Sequence, residues 1–120
     1  MNYHVKMKID RLQKGEIIIS KEPGNSMEPI LKSREPVILV PLKDLSELKK
    51  DDIVFCKVRG TIVTHKVYAT SEKDGVLIGN NHGHQNGWTR IVYAKAYLIP
   101  RDRQNNLEEY LKEFKEEHGL

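Results

Sequence analysis

The feature that most constrains this chain is a change of period at Pro100. Before it, apolar residues fall in short runs separated by turn residues; after it, they fall on one helical face. Tyr3, Val5, Met7 and Ile9 alternate with polar residues, the pattern of a half-buried strand. Ile17-Ile18-Ile19 follows a Lys14-Gly15 turn signal, and Val37-Ile38-Leu39-Val40 is bounded by Pro36 and Pro41. Ile53-Val54-Phe55-Cys56-Lys57-Val58 ends at Arg59-Gly60, and Thr61 to Tyr68 follows. Asp74-Gly75 is a strong turn dipeptide before Val76-Leu77-Ile78, and Ile91 to Ile99 closes at Pro100. Short strands at this spacing predict a mainly β fold, a sandwich or a barrel, over residues 1–100. In the tail, residues 101–120, Leu107, Tyr110, Leu111 and Phe114 stand at i, i+3, i+4 and i+7. They predict a C-terminal α-helix, capped by Asn106 with Glu109 and ended by Gly119. That helix is expected to pack on the β body, with docking or dimerisation as its alternative role.

The length of 120 residues, with 38% apolar and 31% charged residues, fits one small globular domain and excludes a disordered chain. No apolar run is long enough to span a bilayer, and the residues behind Met1 lack the apolar core of a secretory signal. No membrane association is therefore expected. Cys56 is the only cysteine, so neither an intrachain disulfide nor a multi-cysteine zinc site is predicted, and a reducing cytoplasm is the expected setting. The net charge of +3 is split between a mildly basic body and a mildly acidic tail. Without a clustered patch, it argues against nucleic acid as the partner.

Gly24-Asn25-Ser26-Met27-Glu28-Pro29 interrupts the strand pattern. Gly24 permits a turn with positive φ, and Pro29 restrains the chain just after the hydroxyl. Such a turn can hold a serine at the mouth of a cleft with backbone N–H groups aimed at the same point, as an acyl-transfer nucleophile requires. His65 is the candidate base. On a strand it shares its face with Val63 and Val67, and burial there favours the neutral imidazole that can take a serine proton. Read alone, it is more simply a satisfied core histidine. Lys66 is the rival base, but it points to the opposite face and would need a strongly lowered pKa. His82 and His84 form an H-x-H pair, but without an acid or cysteine nearby no metal site is predicted. Trp88 is read as core packing or a groove wall, and Cys56 as a buried small hydrophobe.

Taken together, these segments resemble the serine peptidases grouped around LexA-type repressors and type I signal peptidases. Gly24-Asn25-Ser26-Met27-Glu28-Pro29-Ile30-Leu31 looks like the G-x-S-M-x-P-x-L box of that group. Val37-Ile38-Leu39-Val40 stands where its first strand after the nucleophile lies, and Asp51-Asp52-Ile53-Val54-Phe55 looks like its G-D-I-V-x segment. Thr64-His65-Lys66-Val67 resembles the H-R-V box of the histidine-using branch. Ile78-Gly79-Asn80-Asn81 with Asn86-Gly87-Trp88 is similar to its G-D-N segment, in a form seen in some phage and bacterial members. The boxes occur in order over roughly residues 22–99.

The resemblance implies the mainly β fold of that group, with a C-terminal helix, and a soluble, phage- or prophage-like serine endopeptidase. It implies Ser26 as nucleophile and His65 as base. Asn25, Ser26 and Met27 would form the oxyanion and substrate groove, binding an extended protein or peptide segment as an added strand. Neither cofactor nor metal is implied. Asn80 stands where the histidine branch often carries aspartate, so Asn80, Asn81 or Asn86 is left to orient His65. The short stretch before the serine box is too small for a DNA-binding domain, and the glycines upstream of Ser26 make poor self-cleavage sites. From another class of function comes the alternative of a non-catalytic module, forming a homodimer or pairing with a related repressor or polymerase accessory protein.

Overall fold

The computed structural model describes residues 2–120. The chain is mainly β, with a helix near each end. Helix α1 spans Tyr3–Gln13 and helix α2 Leu107–His118. The strands are β1 (Ile18–Lys21), β2 (Pro36–Pro41), β3 (Ile53–Val58), β4 (Thr61–Ser71), β5 (Gly75–Gly79), β6 (Gln85–Thr89) and β7 (Ile91–Leu98). They form one antiparallel sheet in the order β1-β2-β7-β3-β4-β5-β6. The sheet curls: Thr89 Oγ1, at the end of β6, donates to the Lys57 carbonyl of β3 at 2.6 Å.

The apolar run of β2 follows from its place in the fold. Val37 and Leu39 face α1, where they pack with Ile9 and Leu12 of that helix, Phe55 and Ile53 of β3, and Ala94 and Ala96 of β7. Ile38 faces the other way, against Phe114 of α2 and Ile99. A strand covered on both sides reads as continuous hydrophobics. The opposite face of β3, with Val54, Cys56 and Val58, packs against Val67, Val76 and Ile78 inside the curl. Helix α2 begins as its cap residue predicts: the Asn106 side chain accepts from Glu109 N–H, and Gly119 ends the helix at φ 66°.

The alternation read as a strand over Tyr3–Ile9 is instead the first half of α1. The residue that decides is Leu12. Val5, Ile9 and Leu12 form a helical stripe, with Ile9 and Leu12 buried, while Tyr3 and Met7 stay exposed. Asn2 caps this helix by accepting from His4 N–H at 2.7 Å. A second difference is β6: Gln85-Asn86-Gly87-Trp88-Thr89 lacks a strand composition, yet pairs with β5 through a register shift next to Gly79. Among the described residues, no helix is long and apolar enough to cross a membrane.

Candidate functional site

Strand β4 belongs to two environments. From Lys66 onward it pairs with β5, but residues 61–65 pair, among the described residues, only with β3. That half of the strand therefore presents a free edge. Opposite it lies the segment from Glu22 to Leu31, between β1 and β2. Gly24 adopts φ 105°, and the Glu28–Pro29 bond is cis. Met27 and Leu31 are buried in the core beneath α1 and anchor the segment from below. Between this loop and the β4 edge runs a cleft of about 250 Å³.

Ser26 and His65 meet at the cleft: Ser26 Oγ lies 3.0 Å from His65 Nε2. The other ring nitrogen, Nδ1, lies 2.8 Å from Asn86 Oδ1. An amide oxygen only accepts, so Nδ1 carries the proton and Nε2 is left to accept from the serine hydroxyl. Burial pushes the His65 pKa below its ordinary value of 6.5 and nearby His84 adds to this, against the opposing hydrogen bond to Asn86. The ring is thus a neutral base at pH 7, placed to take the proton of Ser26.

Of the amides expected to orient His65, neither Asn80 nor Asn81 touches it. Asn80 Oδ1 accepts from the N–H groups of His82 at 2.8 Å and His84 at 3.0 Å, shaping its own loop. Asn81 bonds the serine loop and Lys66. The third candidate, Asn86, occupies the orienting position. The register shift between Ile78 and Gly79 breaks the period that would have distinguished the three amides in the sequence. Asn25 is exposed and does not line the cleft, although its carbonyl joins the loop's hydrogen bonds. The Met27 side chain belongs to the core and reaches the cleft floor. Lys66 does not face Ser26; its Nζ donates to Asn81 Oδ1 at 3.1 Å. The ring of His82 is engaged with the Asn25 carbonyl at 3.0 Å. Burial pushes the Cys56 thiol up to about 12, which keeps it unreactive.

The cleft also has a polar wall that sequence reading missed. Glu22 accepts from Lys8 Nζ at 3.0 Å, and from Ser20 Oγ and Thr64 Oγ1 at 3.1 Å each. Lys8 reaches it from α1, lying over the Phe55 ring. Once Tyr3–Ile9 is read as a helix, Lys8 follows Val5 and precedes Leu12 on the buried side, and that is the signal that finds it. Apolar Val5, Leu31, Phe55, Ile62 and Val63 supply the remaining walls. No family model, no curated protein and no solved structure matches this chain.

Proposed function

We propose that this chain is a serine hydrolase acting on peptide bonds, a relative of the LexA-type and signal-peptidase group, with Ser26 as nucleophile and His65 as general base. The observation that carries the reading is the contact of Ser26 Oγ with His65 Nε2 at 3.0 Å, with Asn86 on the far nitrogen, opening into a cleft along an unpaired strand edge. An extended protein segment would bind by adding to the edge of residues 61–65 through main-chain hydrogen bonds. Ser26 Oγ would attack a backbone carbonyl while its proton passes to His65 Nε2. Collapse of the tetrahedral adduct would break the C–N bond, with His65 returning the proton to the leaving amine. Water, activated by the same histidine, would then hydrolyse the acyl-enzyme. A cytoplasmic setting belongs to the same proposal and fits the free, buried thiol of Cys56.

The test is labelling by a fluorescent alkyl fluorophosphonate, with the modified peptide located by mass spectrometry. Label on Ser26 in the wild type, lost in Ser26→Ala and in His65→Ala, is the expected result. Equal labelling of all three proteins overturns the reading. A second reading, a dimerisation or decoy module without activity, is favoured by the amide at the third position, which orients the ring without supplying a counter-charge for the imidazolium. It predicts an unlabelled wild type and a concentration-dependent dimer in sedimentation.

A further inference from the structure

The two peptide groups flanking Ser26 are held from within the serine loop and from the loop after β5. The carbonyl of Asn25 accepts from the Glu28 N–H at 3.1 Å and faces His82 Nε2 at 3.0 Å. The carbonyl of Ser26 accepts from the Asn81 N–H at 2.8 Å. Two residues on, the Glu28 carbonyl accepts from Asn81 Nδ2 at 3.0 Å. A peptide group is planar and trans here, so its C=O and N–H point in opposite directions. Holding the Asn25 carbonyl therefore aims the Ser26 N–H, and holding the Ser26 carbonyl aims the Met27 N–H. Neither of those two N–H groups donates to another group among the described residues.

The loop that makes these contacts, residues 80–84, is itself rigidly specified. Asn80 N–H donates to the His84 carbonyl at 2.9 Å, Asn80 Oδ1 accepts from two backbone N–H groups, and Tyr68 donates its hydroxyl to the Asn80 carbonyl. A Cβ at Gly79 would run into the Tyr68 ring and the His84 carbonyl, so only glycine fits at the loop's entrance. Lys66, one residue past His65 on β4, holds Asn81 by its side-chain oxygen. One strand thus supplies the base from one face and the support for the loop from the other.

From this we infer, resting on the hydrolase reading above, that the Asn80–His84 loop is a brace presetting the N–H groups of Ser26 and Met27 as an oxyanion hole. Asn81, backed by Lys66, is its positioning residue. Donors fixed in advance stabilise developing negative charge without reorganising during the reaction. Removing the Asn81 side chain frees the Glu28 carbonyl and loosens the main-chain contact at Ser26. The base and its partner Asn86 are untouched.

The same fluorophosphonate probe reads this. Ser26 Oγ bonds phosphorus, the P–F bond breaks and fluoride leaves, and the serine proton passes to His65 Nε2. Asn81→Ala is expected to lower the maximal labelling rate about 10- to 100-fold, with little change in the half-saturating probe concentration. The pH midpoint of labelling should stay at the wild-type value. Lys66→Met should lose several-fold, and Lys66→Arg should restore most of that loss. Amide hydrogen exchange at Glu28 and at residue 81, whose N–H groups donate to the Asn25 and Ser26 carbonyls, should accelerate in Asn81→Ala while exchange in β3 stays unchanged. Labelling of Asn81→Ala at the wild-type rate, or a displaced pH midpoint, overturns the positioning role. A wild type that takes no label overturns the hydrolase reading, whereas unchanged exchange at Glu28 and residue 81 in Asn81→Ala overturns the brace, so the two failures are separable.

Discussion

Helices cover β2 on both sides, but the two covered faces differ in kind. The α2 face is dry: Ile38, Ile99 and Phe114 form its centre, with Tyr97 edge-on to Phe114 at 5.0 Å and His118 stacked on Phe114 at 4.0 Å. The α1 face is apolar at Leu12, Val37 and Leu39, but toward β4 it turns polar at Glu22 and Thr64, which line the cleft, with Lys8 behind them on Glu22. One face holds the sheet together, and the other gives up part of its packing to an open, polar margin. The difference shows where this chain can keep chemistry: at the border where a covered face runs out beside an unpaired strand edge.

That contrast can be broken most severely at the border itself. His65→Ala should reduce serine labelling by about 10³-fold or more while leaving the melting temperature within a few degrees. Next in size is the dry face. Phe114→Ala is expected to cost about 3–5 kcal/mol in a urea melt, with the labelling rate per folded molecule unchanged. Lys8→Met should be milder, about 1–3 kcal/mol, because it leaves the largely buried Glu22 carboxylate without its cation. Unlike Phe114→Ala, it should also change the labelling rate, since Glu22 lines the cleft. If both substitutions moved stability and labelling alike, the distinction between the faces would fail.

Titration sharpens the same comparison. Because burial lowers the His65 pKa, labelling should rise with pH through a midpoint below 6.5 and then level off. Stability carries the same sign. The unfolded imidazole takes up a proton near its ordinary pKa of 6.5 and the folded one only at lower pH, so stability falls as pH drops from 6.5 through the folded midpoint. Asn86→Asp should move that midpoint upward, since a carboxylate favours the imidazolium. The smallest effect belongs to Glu35, which Arg101 holds down at about 2, with the Lys32 N–H and Gln104 helping. Its contribution is whole above its ordinary 4.5 and fades as pH falls toward 2, so Glu35→Gln should flatten the acid limb of a stability profile without touching the neutral one.

The sequence discloses elements whose own residues carry both pattern and boundary. Strand β2 has a proline at each end, and α2 has its stripe, its Asn106 cap and its terminal glycine. The β core was legible for the same reason, whereas Ser26 and His65 stood out only through the order of the segments that resemble a peptidase family. Helix α1 was not, because over seven residues an alternating pattern and a helical stripe share Val5 and Ile9, and only Leu12 separates them. Strand β6 was not, because Asn86 and Gly87 are poor strand formers that pair only once β5 and Lys57 are in place. Which of three asparagines faces the histidine is a matter of register, and local sequence does not encode a register that shifts at Gly79.

The half-paired strand β4 has one more consequence. A bare run of backbone N–H and C=O groups invites other chains indiscriminately, and long exposed edges of this kind lead to self-association. Here the edge is fenced. Pro23 and Gly24 stand across from Ile62 to His65, and the cleft between them is lined from both sides. Loop residues stand on the facing side of the edge, where a growing sheet would have to add. The loop that carries Ser26 therefore also acts as a guard rail, making a sticky edge safe to leave open.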